Sequence, residues 1–172
     1  ACSDLQSYSI FKSVEQIVDL CNSLYASDKK NFLIKSYKKR GINTSEIYNN
    51  LYPKNTSSLS SNQLYKQASL VICTYPTTAF IESLNRKIPT ILLYPPDSYC
   101  FDEKFDNITV NMLKEGLIYN SSQKCFDFLK KNNFKFDEWW NNQISECLKS
   151  DLNDTFLKSN TIKDLYKRII QL

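Results

Sequence analysis

Short apolar runs flank a stretch with helical periodicity in the centre of this chain. Residues 70–73 and 90–94 are almost entirely apolar or β-branched, which is typical of strands buried on both faces of a parallel sheet. Between these runs, Phe80, Ile81 and Leu84 fall on one face of a helix. A strand–helix–strand unit this short predicts two parallel strands joined by a right-handed crossover.

Two further strands and a series of helices complete the predicted fold. The strands are expected at residues 32–34 and 117–119, where short apolar runs are bounded by polar residues. Helices are expected where caps and apolar residues recur at helical spacing, at residues 10–25, 45–51, 62–67, 110–114, 122–129, 137–148 and 162–170. This order predicts an α/β protein: a three-layer, Rossmann-like domain with a mostly parallel sheet.

Local signals mark the ends of several predicted helices. Candidate N-caps are Ser7 or Ser9, Ser60 or Ser61, and Ser121 or Ser122. Gly116 is expected to end the helix at 110–114, and a loop is expected between residues 97 and 107. The adjacent Trp139 and Trp140 are expected to face different ways, one onto the sheet and the other onto a neighbouring helix or a missing lobe.

Composition narrows the range of functions. With 172 residues, 42% hydrophobic and 23% charged, the chain fits one globular domain with a substantial core. It has no histidine, which excludes histidine-dependent acid–base or metal chemistry within this chain. The net charge of +4 suits a phosphorylated ligand and does not require nucleic acid.

The six scattered cysteines and the absence of long apolar segments indicate the cellular compartment to expect for this protein. No two cysteines form a C-x-x-C pair, so we expect reduced, mostly buried thiols in a cytoplasmic protein. No apolar run approaches the roughly 18 residues of a membrane span, and no signal peptide is visible; peripheral association with a membrane stays open. Because the chain begins with Ala1 and not Met, we expect a fragment of a longer protein.

Hydroxyl side chains cluster at the predicted turn after residues 70–73. The members of this cluster are Thr74, Tyr75, Thr77 and Thr78. The helix that follows directs free N–H groups and a partial positive charge at the carboxyl edge of the sheet, where parallel α/β sheets bind ligands. The turn therefore predicts a phosphate-binding site. The alternative is that the threonines only cap the helix, and the local pattern leaves both open.

The segment from Glu82 to Pro89 resembles a known signature. It reads Glu-Ser-Leu-Asn-Arg-Lys-Ile-Pro and resembles the E-A-L-A-x-G-x-P-V pattern of GT-B glycosyltransferases, with the Glu-to-Pro spacing kept and Lys87 at the glycine. The wider stretch is similar to bacterial surface-polysaccharide transferases of the type first named from Leptospira. It is more distantly similar to CDP-glycerol glycerophosphotransferases. The resemblance is strongest over residues 60–94.

The resemblance implies the C-terminal, donor-binding lobe of a GT-B-type transferase in cell-surface polysaccharide synthesis. Its ligand would be a nucleotide-activated sugar or polyol phosphate, bound as a substrate and without a cofactor or metal. The general base would lie in the missing N-terminal lobe, so this chain alone is expected to be inactive. In such enzymes a glutamate at the position of Glu82 binds the ribose hydroxyls, and a basic residue faces the donor phosphates. Lys35 and Arg40 are the candidates for that basic residue, although either side chain also suits a solvated loop.

Two other classes of function remain as alternatives. The chain suits a non-catalytic Rossmann-like or flavodoxin-like module that binds a ligand or a partner. A nucleic-acid-binding protein is suggested only by basic and aromatic residues between positions 29 and 40, and the even spread of charge elsewhere argues against it. The sequence leaves the nucleotide, the donor and the acceptor open.

Overall fold

In the part of the chain that the structure describes, three short parallel strands form a sheet, in the order β1 (Val71–Cys73), β2 (Thr90–Leu93) and β3 (Ile118–Tyr119). A computed structural model gives the fold of residues 2–29, 31–36, 44–74, 78–94, 106–144 and 146–152. Every β2 residue is buried, and since successive side chains alternate between faces, both faces of the central strand are covered. The predicted α/β class and parallel pairing are confirmed.

Helices surround this sheet in the described residues. They are α1 (Cys2–Ala26), α2 (Thr44–Leu51), α3 (Ser61–Tyr65), α4 (Thr78–Asn85), α5 (Asp106–Lys114), α6 (Ser122–Lys131) and α7 (Glu146–Leu152), with a π-helix at Trp139–Gln143. Helix α4 packs on β1 and β2, α5 and α6 pack on β3, and α1 lies along α6. The core is therefore one apolar cluster that joins the sheet to the helices on it.

The helix starts agree with the sequence in two cases and differ in two. The Ser60 side chain accepts a hydrogen bond from the Gln63 amide while the Gln63 side chain accepts one from the Ser60 amide, a capping box at the start of α3. Ser121 caps α6. The prediction that Ser7 or Ser9 begins the first helix is wrong, because α1 begins at Cys2 and encloses both residues. Likewise α5 begins at residue 106, inside the predicted loop.

The predicted strand at residues 32–34 is wrong. Among the described residues only Ile34 pairs, in a single parallel bridge with Thr56, and this bridge is outside the three-stranded sheet. The Phe32 ring instead meets Tyr25 and Tyr52 edge-on, with ring centroids 5.6 and 6.2 Å apart. The segment therefore contributes Phe32 to an aromatic cluster beside α1.

The adjacent tryptophans are both part of the core, and the expectation that they face different ways stays a prediction. Trp139 and Trp140 are 3% and 8% exposed, with ring centroids 5.7 Å apart. The backbone forms a π-helix here, in which the Ile144 amide bonds to the Trp139 carbonyl five residues back. This wider turn interrupts the helix predicted over residues 137–148. The helix predicted at residues 162–170 lies outside the described residues.

Four α-helices end with the same backbone device. The residue that follows each C-cap has a positive φ; these residues are Asp28, Lys87, Gly116 and Asn133. In each case the next amide bonds to a carbonyl five residues back, which is the Schellman arrangement. Gly116 ends α5 as predicted, whereas the other three helices adopt the left-handed residue without glycine.

Candidate functional site

The candidate site lies where β1 ends and α4 begins. Thr74 follows β1 directly and is half-buried, and Thr78 is the first residue of α4 and is exposed. Glu82 is half-buried and lies four residues after Thr78, so the two side chains share one side of the helix. Thr78 and Glu82 therefore share one side of α4, and Thr74 follows β1, the strand on which α4 packs. Tyr75 and Thr77 lie outside the described residues.

Burial of the opposite face fixes the orientation of α4. Phe80, Ser83 and Leu84 are buried, and α4 packs on both β1 and β2. The Ser83 hydroxyl donates to the Phe80 carbonyl at 2.8 Å, so this buried polar group is satisfied within the helix. Because these side chains hold α4 on the sheet, Thr78 and Glu82 are presented away from the buried face.

Arg86, which follows Glu82 by one helical turn, is bound by residues of the neighbouring helix α3. The Arg86 guanidinium donates to the Asn62 side chain at 2.6 Å and lies over the Tyr65 ring, 5.2 Å from its centroid. The Tyr65 hydroxyl also donates to the Ala79 carbonyl at 3.2 Å, so α3 is held along α4. Among the described residues the Glu82 carboxylate has no hydrogen bond or ion pair. Its acceptor capacity is not used by a described neighbour.

The end of α4 explains the departure from the GT-B signature. Lys87 has a φ of 56°, its amide donates to the Leu84 carbonyl at 2.8 Å, and the Ile88 amide donates to the Ser83 carbonyl at 3.1 Å. The Pro89 carbonyl then accepts from β1 at 2.9 Å. The signature's glycine position is thus the left-handed residue that turns the chain from α4 into β2. Lys87 meets the same backbone requirement, so the departure concerns the helix end and not Glu82.

The predicted basic residues are not joined to this site by the described contacts. Lys35 follows the Ile34 bridge, and its ammonium group donates to the Leu59 carbonyl at 2.6 Å. It makes no hydrogen bond or ion pair with Thr74, Thr78 or Glu82. Arg40 lies outside the described residues. The role of both residues at the donor phosphates stays a prediction.

The thiol beside the site is not a nucleophile at neutral pH. Cys73 ends β1, next to Thr74, and is buried and free. Burial raises the pKa of the Cys73 thiol to about 12, and burial has the same effect on Cys21 and Cys125. These thiols stay protonated near pH 7, whereas a reactive cysteine needs a lowered pKa. The three described cysteines agree with the expectation of reduced, buried thiols.

Sequence reasoning missed the polar contacts that surround the site. The pairs Arg86–Asn62 and Lys35–Leu59 each join residues 24 positions apart, and neither spacing has a local pattern. The positive φ of Lys87 was also not predicted, although the Glu-to-Pro spacing placed a helix end there.

Comparisons with known proteins identify a family. A family model described as LIC12162 family transferase matches residues 3–168. Neither a curated protein nor a solved structure matches the chain. Within the described residues, no helix has the length and apolar character needed to cross a membrane. No group of three metal-ligating side chains occurs among the same residues.

Proposed function

We propose that this chain, which belongs to the LIC12162 transferase family, binds the nucleotide-activated donor of a transfer reaction. In this proposal it is the donor-binding lobe of a GT-B-type enzyme and acts together with an N-terminal lobe. The donor is a nucleotide-linked sugar or polyol phosphate, and the product enters a cell-surface polysaccharide. The proposal extends to a cytoplasmic enzyme that meets its acceptor at the membrane surface.

One observation carries the proposal. Thr78 and Glu82 lie one turn apart on α4, the helix that follows β1, and the Glu82 carboxylate has no partner among the described residues. Ligands of parallel α/β sheets bind at this edge. A solvent-accessible carboxylate beside a helix start is suited to a ligand that offers hydroxyl groups on one side and phosphate on the other.

The chemistry assigned to these residues is positioning and charge stabilisation. The Glu82 carboxylate accepts two hydrogen bonds from the 2′- and 3′-hydroxyls of a ribose. The Thr74 and Thr78 hydroxyls and the positive end of the α4 dipole bind the diphosphate. As the bond to the donor group breaks, negative charge grows on the leaving diphosphate, and the same donors stabilise it.

Arg86 is not assigned to the phosphates. Its guanidinium already binds the Asn62 side chain and covers the Tyr65 ring. Moving it to a diphosphate would break both contacts, which hold α3 against α4. Positive charge at the phosphates is therefore assigned to Lys35 and Arg40, which the GT-B resemblance proposes for that role. The general base is assigned to the N-terminal lobe.

A thermal-shift screen tests this function. UDP, CDP and GDP are each added at increasing concentration, with the corresponding nucleosides and a polynucleotide as controls. A ligand at 100 times its Kd stabilises the folded state by about 2.7 kcal/mol, which raises Tm by about 5–10 °C for a chain of this size. We expect one nucleoside diphosphate to give such a shift and its nucleoside a smaller one. Stabilisation only by the polynucleotide, or by no nucleotide at all, would contradict the proposal and favour a non-catalytic binding module.

A further inference from the structure

Glu82 and Arg86 have the spacing of a helical ion pair. The Arg86 amide donates to the Glu82 carbonyl at 3.2 Å, so the helical turn that joins the two residues is intact. A glutamate four residues before an arginine is the order that favours an ion pair between the side chains of a helix. Among the described residues, however, the Glu82 carboxylate and the Arg86 guanidinium form no ion pair. The contacts of the guanidinium with α3 explain this separation.

Helix α3 supplies two contacts that hold the Arg86 side chain. The guanidinium donates to the Asn62 side-chain oxygen at 2.6 Å and lies 5.2 Å from the centroid of the Tyr65 ring. A cation over the face of an aromatic ring is attracted by the ring, and a planar guanidinium can stack there while it donates a hydrogen bond. In the structure these two contacts prevail over the single ion pair that the helical spacing offers.

The two residues of α3 that bind the guanidinium are themselves fixed in place. Asn62 and Tyr65 are three residues apart, so they lie on the same side of the helix. The capping box of Ser60 and Gln63 determines where this helix begins. The Tyr65 hydroxyl donates to the Ala79 carbonyl at 3.2 Å, which determines where α3 lies along α4. The guanidinium is therefore bound by a surface that is held against α4 by a separate contact.

We propose that Asn62 and Tyr65 are positioning residues, which bind Arg86 and so keep the Glu82 carboxylate available to a ligand. In the proposed function, on which this role rests, Glu82 accepts hydrogen bonds from the two hydroxyls of a ribose. A guanidinium paired with the carboxylate would occupy the same oxygen lone pairs. It would also offset the negative charge that strengthens hydrogen bonds from hydroxyl groups. Holding Arg86 on α3 prevents both effects.

A positioning role of this kind affects only ligands that offer hydroxyl groups to Glu82. A 2′,3′-dideoxynucleoside diphosphate keeps the base and the diphosphate but has no hydroxyl for the carboxylate. Release of Arg86 from α3 should therefore weaken binding of the ribonucleoside diphosphate and leave binding of the dideoxy analogue unaffected. If the contacts of Arg86 only stabilised the packing of α3 on α4, their loss would affect both ligands alike. The ratio of the two Kd values thus separates a positioning role from a structural one.

Titration calorimetry measures this ratio, with the nucleoside diphosphate that stabilises the parent most and its dideoxy analogue. Asn62→Leu removes the acceptor of the guanidinium and should raise the Kd of the ribonucleoside diphosphate about twofold, since an ion pair of this spacing would occupy roughly half of the carboxylates. Asn62→Asp keeps an acceptor at the same place and should bind as the parent does. Adding Arg86→Met to Asn62→Leu removes the competing charge and should restore the Kd of the parent. No weakening by Asn62→Leu, equal weakening of both ligands, or no recovery with Arg86→Met would overturn the proposal.

A second measurement needs no nucleotide and distinguishes failure of this role from failure of the proposed function. At low ionic strength, where ion pairs are least screened, Glu82→Gln should leave the Tm of the parent unchanged. In the Asn62→Leu background the same change should lower Tm by about 1 °C, because it removes the ion pair that Arg86 then forms. Equal changes in both backgrounds would contradict the positioning role, even if Glu82 binds ribose. A change only in the Asn62→Leu background, together with nucleotide binding that does not depend on Glu82, would support the separation of the two charges and contradict the ribose assignment.

Discussion

The connections from α4 to β2 and from α5 to β3 have the same backbone geometry but different residues at the left-handed position. Both helices must stop within a few residues and return the chain to a parallel strand. Lys87 ends α4 with a φ of 56°, and Gly116 ends α5 with a φ of 78°. The next amide, of Ile88 or Leu117, then donates to the carbonyl five residues back, at 3.1 and 2.8 Å, respectively. The two connections share their backbone and differ in the side chain at the left-handed position.

This difference shows what a glycine contributes at the left-handed position of such a connection. Glycine adopts a positive φ without a steric cost, whereas a residue with a Cβ is strained there by roughly 1–2 kcal/mol. The chain has only two glycines, and it places one of them in the connection from α5 to β3. In the connection from α4 to β2 it accepts the strain at Lys87. The residue at position 87 therefore affects stability, separately from the ligand role proposed for Glu82.

The largest effect is expected from the apolar residue that follows each left-handed position. Leu117 is fully buried, so Leu117→Ala should lower the free energy of unfolding by about 2–5 kcal/mol. Ile88 is 9% exposed, so Ile88→Ala should fall at the lower end of that range. Urea unfolding measures both. A Leu117→Ala variant less than about 1 kcal/mol below the parent would show that this residue does not anchor the connection.

A smaller loss is expected when Gly116 gains a side chain. Gly116→Ala should lower the free energy of unfolding by about 1–2 kcal/mol because alanine is strained at a positive φ. The added Cβ would also lie 3.1 Å from the Tyr119 hydroxyl oxygen, which must then shift. Combining Gly116→Ala with Tyr119→Phe should recover the part due to crowding. Equal stability of Gly116→Ala and the parent would refute the requirement for a left-handed residue.

The reverse change at the other connection should stabilise the protein. Lys87→Gly relieves the strain of a positive φ and should raise the free energy of unfolding by about 0.5–1 kcal/mol. Lys66 is the matched control, since it ends α3 with a right-handed φ of −67°. Lys66→Gly should be neutral or destabilising. If both variants change stability in the same direction, the comparison between the two connections fails.

The smallest effect on stability at neutral pH is expected from the buried thiols of Cys73 and Cys125. Burial raises the pKa of Cys73 on β1 and of Cys125 on α6 to about 12, from an ordinary value of 9.0. Above pH 9 the unfolded chain loses these protons first, so the folded state binds more protons and stability falls as pH rises towards 12. Below pH 8 the thiols should have no effect. Replacing Cys73 by alanine should flatten the alkaline slope by about 1.4 kcal/mol per pH unit, and an unchanged slope would contradict this account.

Local patterns predicted most of the fold around the sheet. The apolar runs at β1 and β2 and the caps Ser60 and Ser121 depend on neighbours within a few residues, and the structure confirms them. The segment from Phe32 to Ile34 has an equally apolar pattern. In the structure the Phe32 ring packs against the rings of Tyr25 and Tyr52. A three-residue apolar pattern does not indicate which distant residues it will contact.

The candidate site also has features that local spacing predicts and features that depend on tertiary contacts. Thr78 and Glu82 share a side of α4 because helical spacing alone requires it. The attachment of Arg86 to Asn62, and of Lys35 to Leu59, depends on how separate segments meet, so the sequence could not show which basic groups are already engaged. Helical spacing therefore predicted the position of the Glu82 carboxylate, whereas the partners of Arg86 and Lys35 depend on tertiary contacts that the spacing does not show.

The most direct test of the donor-site account is nucleotide binding by Glu82→Gln, measured by titration calorimetry with the nucleoside diphosphate that stabilises the parent most. Glu138 offers the control, since its exposed carboxylate makes no cap hydrogen bond. Glu82→Gln should leave Tm unchanged and weaken binding by about 1.5–3 kcal/mol, a roughly 10- to 150-fold rise in Kd. Glu138→Gln should bind as the parent does, and Thr78→Val should weaken binding of the diphosphate more than that of the nucleoside. If Glu82→Gln binds every nucleotide as tightly as the parent, the assignment of the donor site to Glu82 is wrong.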